Sequence, residues 1–580
     1  MGSQPQPPNL RQEEGRLLHA ALVEQEDDDD DEEGSEESSS DSTSRGELVT
    51  VPTFDVPYFR YIDDEGTEAE EEWSSSRSLS SIEEDSSTDS VVSDRYVVVS
   101  GTPEKILEHL LNDLALDDDR GTRQDTLLDD FLLTYPVFMS TSDLCEALLG
   151  GKEDRKEALE RKQKVLHLVS QWMSLCRDFL REDEQVKLFM KTLCRYVLED
   201  LYEHPALETD PSLHAKGKAD HFLFVLKGRV TCGVFVTFVT QYLVSVAVLC
   251  RVYITVDSYL SMRVHAAVVA QELLQAVAER MDVPLGELTL EAVTYPGGRL
   301  LLQPQDRVFS DCLRPVGRLH ICRSDLGEVL YPFTDSSELQ LRAARMLSLN
   351  TWDVAVALTT FDWTLFDSVH EQELVYFTFS RPASSRHIVA LELLLQRCNE
   401  VQLWVMTEVL LCPTLCKRVQ LIKKFIKIAA HCKAQRNLNC FFAIIMGLNA
   451  AAVSRLSHTW EKIPGKFKKL FSELETLTDP SLNHKAYRDS FKKMKAPKIP
   501  FLPLLLKDIT FIHEGNKTFH DNLVNFEKLH MIADAVRLIR LCQKDRTGQY
   551  SPLSAYFDSL HIIDNQQTLF ELSHRLEPRA

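Results

Sequence analysis

Nearly all of the net charge of this 580-residue chain lies in its first 95 residues, and that separates what can fold from what cannot. Residues 1–95 hold 28 Asp+Glu against 6 Lys+Arg, a net of −22 out of −24 for the whole chain. The tracts EQEDDDDDEE and SSSRSLSSIEEDSSTDS carry few apolar side chains. Burial cannot offset the entropy of ordering them, so an acidic disordered tail is expected over 1–95. Ser80 and Ser81, each with Glu three residues later, are candidate phosphorylation positions. VPTFDVPYFRYI (51–62) is an apolar island in the tail, readable as a docking motif or as a strand returning to the folded body. Residues 96–580 carry only −2 and are too long for a single core, so several domains are expected.

The start, MGSQPQPPNL, lacks the apolar run of a signal peptide, and Gln6 stands where a myristoylation signal needs Ser or Thr. The 13 Cys have no metal-ligand spacing. Cys412, Cys416 and the His431-Cys432 pair sit in apolar helical settings, which suits free thiols in a reducing cytosol. HEQEL (370–374) lacks the second His that would let one helix face grip zinc. No metal or cofactor is expected, and the expected location is cytoplasmic.

Residues 96–212 read as all-helical. In GTPEKILEHLLNDLAL, Ser100 or Thr102 can cap, Pro103 suits the first turn, and Ile106, Leu107, Leu110 and Leu111 recur at helical spacing. LLDDFLLTYPVFMSTSDLCEALL repeats the pattern around a break at Pro136. Residues 213–251 form a linker. Its segment TCGVFVTFVTQYLVSVAVLC (231–250) has no charge for twenty residues, long enough for a membrane span. Lys216, Lys218, Lys227 and Arg229 lie ahead of it, so a span would send the C-terminal block out of the cytosol. Its Val, Thr and Gln241 favour buried strands or a packed linker.

Over 252–325 the period changes to two. VYITVDSYLSMRVH reads as a strand pair, AVVAQELLQAVAERM as a helix with Val268, Leu273, Leu274 and Val277 inward, and ELTLEAVTY, RLLLQP and RLHIC as strands. This order predicts a ubiquitin-like α+β unit. Residues 337–580 read as all-helical again. In the helix from Lys417, Ile422, Phe425, Ile426 and Ala429 form the apolar stripe, and Lys423, Lys424 and Lys427 lie off it as a solvated basic side rather than a lipid or nucleic-acid patch.

The segment from Pro500 to Asn516, PFLPLLLKDITFIHEGN, then reads as a helix ending in an acidic turn, and LVNFEKLHMIADAVRLIR as a second, antiparallel helix. Together they resemble the catalytic hairpin of the Ras and Rap guanine nucleotide exchange factors. The likeness extends to GTPEKILEHL with FLLTYPVF, similar to the N-terminal Ras exchanger motif, and to VAVALTTFDWTLFDSVHEQELVYFTF and RNLNCFFAIIMGLNAAAVSRL in the catalytic block. The resemblance implies a mainly α, multidomain chain with a Ras-association-like unit at 252–325. Its implied function is exchange of guanine nucleotide on a Rap/Ras-type small GTPase. In that reading the hairpin opens the nucleotide site through Thr510, Phe511, Glu514 and Asn516, with Asn516 capping the turn. The implied GTPase-binding set is Gln396, Arg397, Asn399, Glu400, Asn439, Asn449, Arg455, Leu456 and Phe501. Membrane-surface recruitment is a further expected association; nucleic acid and cyclic nucleotide are not expected partners. The chain has no GxxxxGK[ST], so it is not itself read as a GTPase. Two departures, Gln396 where relatives carry Arg and Ala450-Ala451 where others carry Asn-Val, motivate the alternative of a catalytically weak, GTPase-binding scaffold.

Overall fold

The structure, a computed structural model, describes residues 59–62, 97–113, 126–150, 155–176, 185–193, 247–265, 267–281, 283–294, 298–309, 317–323, 336–379, 388–544 and 553–578. The expected disordered tail, apart from residues 59–62, and most of the apolar segment, 231–246, lie outside them. Among the described residues no helix is long and apolar enough to cross a membrane.

The N-terminal helices are α1 (Pro103–Asp113), α2 (Thr126–Thr134), α3 (Thr141–Leu149) and α4 (Arg155–Leu175). Local chemistry sets their ends. The Thr102 hydroxyl accepts from Lys105 N, and Ser140 forms a reciprocal capping box with Asp143. Pro136 stops α2 in a single 3-10 turn, Tyr135–Val137. Phe131, Tyr135 and Trp172 are fully buried, the Tyr135 and Trp172 rings meeting edge to face at 5.7 Å. The block is not purely helical. Strand β1 (Phe59–Ile62) pairs antiparallel with β2 (Val97–Gly101), so the end of the apolar island is a returning strand.

The middle unit contains β3 (Ala247–Tyr253), β4 (Ser258–His265), helix α5 (Ala270–Met281), β5 (Leu288–Thr294), β6 (Gly298–Leu301) and β7 (Gly317–Arg323). The end of the expected linker, Ala247–Arg251, is therefore strand. Parallel pairing of β3 with β7 puts the strands in the order β4-β3-β7-β5-β6. Alternation assigns the two faces to different cores. Cys250, Val252, Leu260 and Met262 join Leu273 and Val277 of α5 in one core. Leu249, Tyr253 and Tyr259 join the large helical core. Leu274 packs only partly.

The C-terminal block comprises α6 (Ser336–Ser348), α7 (Thr351–Phe366), α8 (Glu371–Phe379), α9 (Val389–Leu410), α10 (Leu415–Ala434), α11 (Leu438–Asn449), α12 (Gly465–Glu475), α13 (Ser481–Lys493), α14 (Leu502–Gly515), α15 (Phe526–Gln543) and α16 (Gln566–Leu576). At the crossing of α9 and α11, a Cβ on Gly447 would sit 2.8 Å from the Gln402 carbonyl, so only glycine allows this approach. Two expectations are corrected. The block is not all-α: β10 (Ser559–Ile563) pairs antiparallel with β4 and closes that edge of the sheet, and β8 (Phe519–His520) pairs with β9 (Leu523–Asn525), which also meets β2. Lys424 is buried rather than solvated, because its ammonium donates to the Leu347 and Leu349 carbonyls at the end of α6.

Candidate functional site

Helix α14 buries Leu502, Leu504, Leu505, Leu506 and Ile509, and turns its far end outward. Phe511 is 55% exposed and Glu514 is exposed. The Thr510 hydroxyl is spent inside the helix, donating to Leu506 O at 2.9 Å. Asn516 follows the last turn and its amide donates to Ile512 O at 3.0 Å. The second helix starts later than the sequence reading put it. Leu523–Asn525 is strand β9, and Asn525 then caps α15 by accepting from Lys528 N.

Three sets of contacts hold this hairpin. At its base, Arg488 binds Asp508 through two nitrogens at 2.7 and 2.8 Å, and the Phe501 ring stacks on Phe442 at 4.2 Å. At its tip, Lys528, only 1% exposed, donates to His513 O, Asn516 O and Thr518 Oγ1 and approaches His513 Nδ1. Burial pushes this ammonium down to about 8. Along its outer side, α15 meets α2: Arg537 pairs with Asp129 at 2.6 Å and with Asp130, and His530 Nδ1 lies 2.6 Å from Asp130. Arg540 extends the network to Glu371 at 2.7 Å. Lys528 and the Asp129/Asp130–Arg537 network were not singled out from the sequence. A Lys three residues after a potential Asn cap was the available signal for the first. Nothing local signals the second, whose members are some 400 residues apart.

This docking has a pH signature. The hydrogen bond to Asp130 raises the His530 imidazole above its ordinary value, with Asp534 adding and Arg537 opposing. A raised folded-state pKa contributes stability that is complete below about pH 6.5 and is lost as pH rises through the folded value. His530→Gln removes that contribution. Melting curves should therefore separate the variant from the parent at about pH 5.5 and bring them together by about pH 9. A gap that stays constant across this range would show that His530 does not titrate against Asp130.

The remaining site residues divide into surface and support. Asn399 is exposed, and Gln396 and Asn449 are half-buried. Gln396 donates to Glu400 Oε1 at 2.7 Å. Five members of the expected GTPase-binding set are buried, which puts them beneath the surface rather than on it. Glu400 is 0% exposed, and its carboxylate accepts from Arg251 at 3.3 Å and from Ser261, the residues of β3 and β4 that alternation turns toward α9. Arg397 lies over the Phe361 ring at 4.0 Å and donates to Phe557 O; burial lowers its pKa, with Asp362 acting against that. Asn439 is buried beside Asp362, whose carboxyl burial pushes up to about 6. Leu456 and Phe501 are core. Arg455 is only partly buried, yet it is tied down by Ser573 Oγ at 2.8 Å and Glu577 O at 2.9 Å. The hairpin therefore ends in an exposed aromatic ring and carboxylate above a braced base, and α9 carries exposed polar groups above a carboxylate held by the sheet.

Comparison with known proteins fits this geometry. The RasGEF domain matches residues 353–530, and the RasGEF N-terminal motif matches residues 97–196. The chain is 58% identical to Rap guanine nucleotide exchange factor 5 of Homo sapiens, over 91% of this chain and 95% of that protein. It is 39% identical to Rap guanine nucleotide exchange factor-like 1 of Homo sapiens, over 82% of this chain and 77% of that one. It is 35% identical to Rap guanine nucleotide exchange factor 3 of Homo sapiens, over 83% and 58% respectively.

Proposed function

We propose, for a chain that belongs to the Rap guanine nucleotide exchange factor family, that it promotes release of GDP and loading of GTP on a Rap- or Ras-type small GTPase. The observation that carries this is the hairpin tip: Phe511 and Glu514 stand exposed on a hairpin braced through Asp508, Lys528 and Arg537. No covalent bond is made or broken. The protein needs only to bind the nucleotide-free GTPase more tightly than the loaded one, and that difference in affinity drives release. Phe511 supplies apolar bulk to displace a switch segment. Glu514 places negative charge where phosphate sits, and Asn516 keeps the helix end from fraying. Gln396, Asn399 and Asn449 offer polar groups to the partner. Arg397, Glu400, Asn439, Leu456 and Phe501 act from beneath.

The strand order β4-β3-β7-β5-β6 with one helix across it supports reading the middle unit as ubiquitin-like and Ras-association-like. With β10 on the β4 edge, its role here is to brace α9. The proposed place of action is the cytoplasm, with recruitment to the plasma membrane; neither cyclic nucleotide nor nucleic acid takes part.

Release of a fluorescent nucleotide from purified Rap and Ras proteins tests the proposal. The parent should accelerate it, and Glu514→Ala should slow the accelerated rate by about 10-fold, equivalent to about 1.4 kcal/mol. A second reading rests on Gln396, whose amide is already engaged by Glu400: a scaffold that binds the GTPase without speeding release. Binding with no acceleration by the parent would select it.

A further inference from the structure

Between Glu408 and Glu461 the chain has 52 residues with no Asp or Glu and with eight Lys+Arg. The structure sorts these eight into two groups. Arg418, Lys424, Arg436 and Arg455 are spent on the fold, bonding Thr459, the end of α6, the Lys495 and Ala496 carbonyls, and Ser573 with the Glu577 carbonyl. Lys417, Lys423, Lys427 and Lys433 all lie on α10, and among the described residues none has a carboxylate within ion-pair distance.

Helix α12 adds to the same face. The ammonium groups of Lys423, Lys427 and Lys466 approach the ring of Phe467 at 5.1, 5.5 and 5.4 Å. Three like charges are thus gathered on one ring, and each keeps an open side for an anion. Along α10 the row continues four residues at a time through Lys423, Lys427 and His431. There the ring of Trp352 meets His431 edge to face at 5.3 Å, and Trp352 is 45% exposed. The one carboxylate next to it in sequence is Asp353.

We propose that this face, Lys423, Lys427, Lys466 and Trp352 around Phe467, docks the protein on an anionic lipid surface. Lysines that present point charges over an apolar base suit a layer of phosphate headgroups, and an exposed Trp at the rim suits the boundary between headgroup and acyl chain. Sequence-reading nucleic-acid contacts favour the forked guanidinium and several stacking rings, and the arginines of this region are spent internally. The chain's net charge of −24 does not oppose docking, because charges farther than about 10 Å are screened at ordinary salt and the local face decides. This inference does not depend on exchange activity, since the hairpin is built from other helices.

The test is sedimentation of the full chain with phosphatidylcholine vesicles, with and without phosphatidylserine. Binding should require phosphatidylserine and weaken with salt. The triple variant Lys423→Gln, Lys427→Gln, Lys466→Gln should weaken it by about 100-fold. The charge-matched triple Lys485→Gln, Lys493→Gln, Lys495→Gln on and after α13 should bind as the parent does, and Trp352→Ala should bind measurably less. Equal binding to neutral and anionic vesicles, or equal losses in the two triples, would overturn the proposal. So would a first triple that loses duplex DNA but keeps vesicles, which would make the face a polyanion site. Parent-like melting and solution exchange rates in the variants would show that they remain folded.

Discussion

Arg537→Leu should be among the most damaging single changes in this protein, lowering both stability and exchange. The side chain lies between Asp129 and Asp130 of α2 and also meets Asp534 on its own helix. Asp130 is almost fully buried, and Arg537 itself is less than one-fifth exposed. Removing one partner of such a pair strands a carboxylate away from water, at a typical cost of about 3–5 kcal/mol. Arg540 can take up part of the Asp129 charge and His530 part of the Asp130 charge, which puts the expectation at the lower end of that range. Exchange should fall beyond what unfolding explains, because α15 is the outer arm of the hairpin and the α2 contact sets its angle. Each 1.4 kcal/mol of lost preorganisation costs about tenfold. Adding Asp130→Asn to Arg537→Leu removes the stranded charge and should recover stability; the two changes together should cost less than their sum. Strict additivity in denaturant melts would mean that the ion pair is not coupled. Lost stability with an unchanged exchange rate would mean that the N-terminal helices do not set the hairpin.

The same network marks where sequence reading reached and where it stopped. Period-two patterning located the strands from β3 to β7, because the alternation is written into consecutive residues; in β3 and β4 it sends one face to each core. It did not locate β10. SLHII is five residues long inside a helical block, and its partner β4 lies some 300 positions earlier. Only that distant pairing makes it a strand. Lys424 was read as solvated because charged side chains usually are, and the resemblance put Arg397 and Glu400 in the GTPase-binding set. Each is buried because a specific acceptor or donor from another element meets it: the end of α6, the Phe361 ring with the Phe557 carbonyl, and Arg251 with Ser261. The hairpin was recognised from its resemblance to the exchange factors, which located Phe511 and Glu514 but not the lysine beneath them.

That lysine leads to the second large effect. Lys528→Met should leave the core of α15 in place and loosen the tip. Methionine fills most of the volume, but His513 O, Asn516 O and Thr518 Oγ1 lose their common donor in a site that water barely reaches. Each buried acceptor left unpaired costs about 1–3 kcal/mol. The cheapest response is local: the last turn of α14 frays and carries Glu514 with it. Amide exchange should therefore speed up across residues 512–518 while the rest of α15 stays protected, and nucleotide release should slow by about 10-fold or more. Lys528→Arg keeps the charge but not the shape, and should restore only part of the rate. Alkaline pH should weaken the clasp in the parent as well. Burial holds the ammonium at about 8, so above that value the amine has one donor fewer to offer the three acceptors. The global sign is opposite, because a depressed lysine pKa makes the folded state relatively more stable as pH rises from about 8 toward the unfolded value of about 10.4. Relative to the intrinsic base-catalysed rate, tip protection should fall above about pH 8 without global destabilisation, and Lys528→Met should abolish that fall. Uniformly faster amide exchange throughout α15 would instead place Lys528 in the general core and remove the tip from the argument.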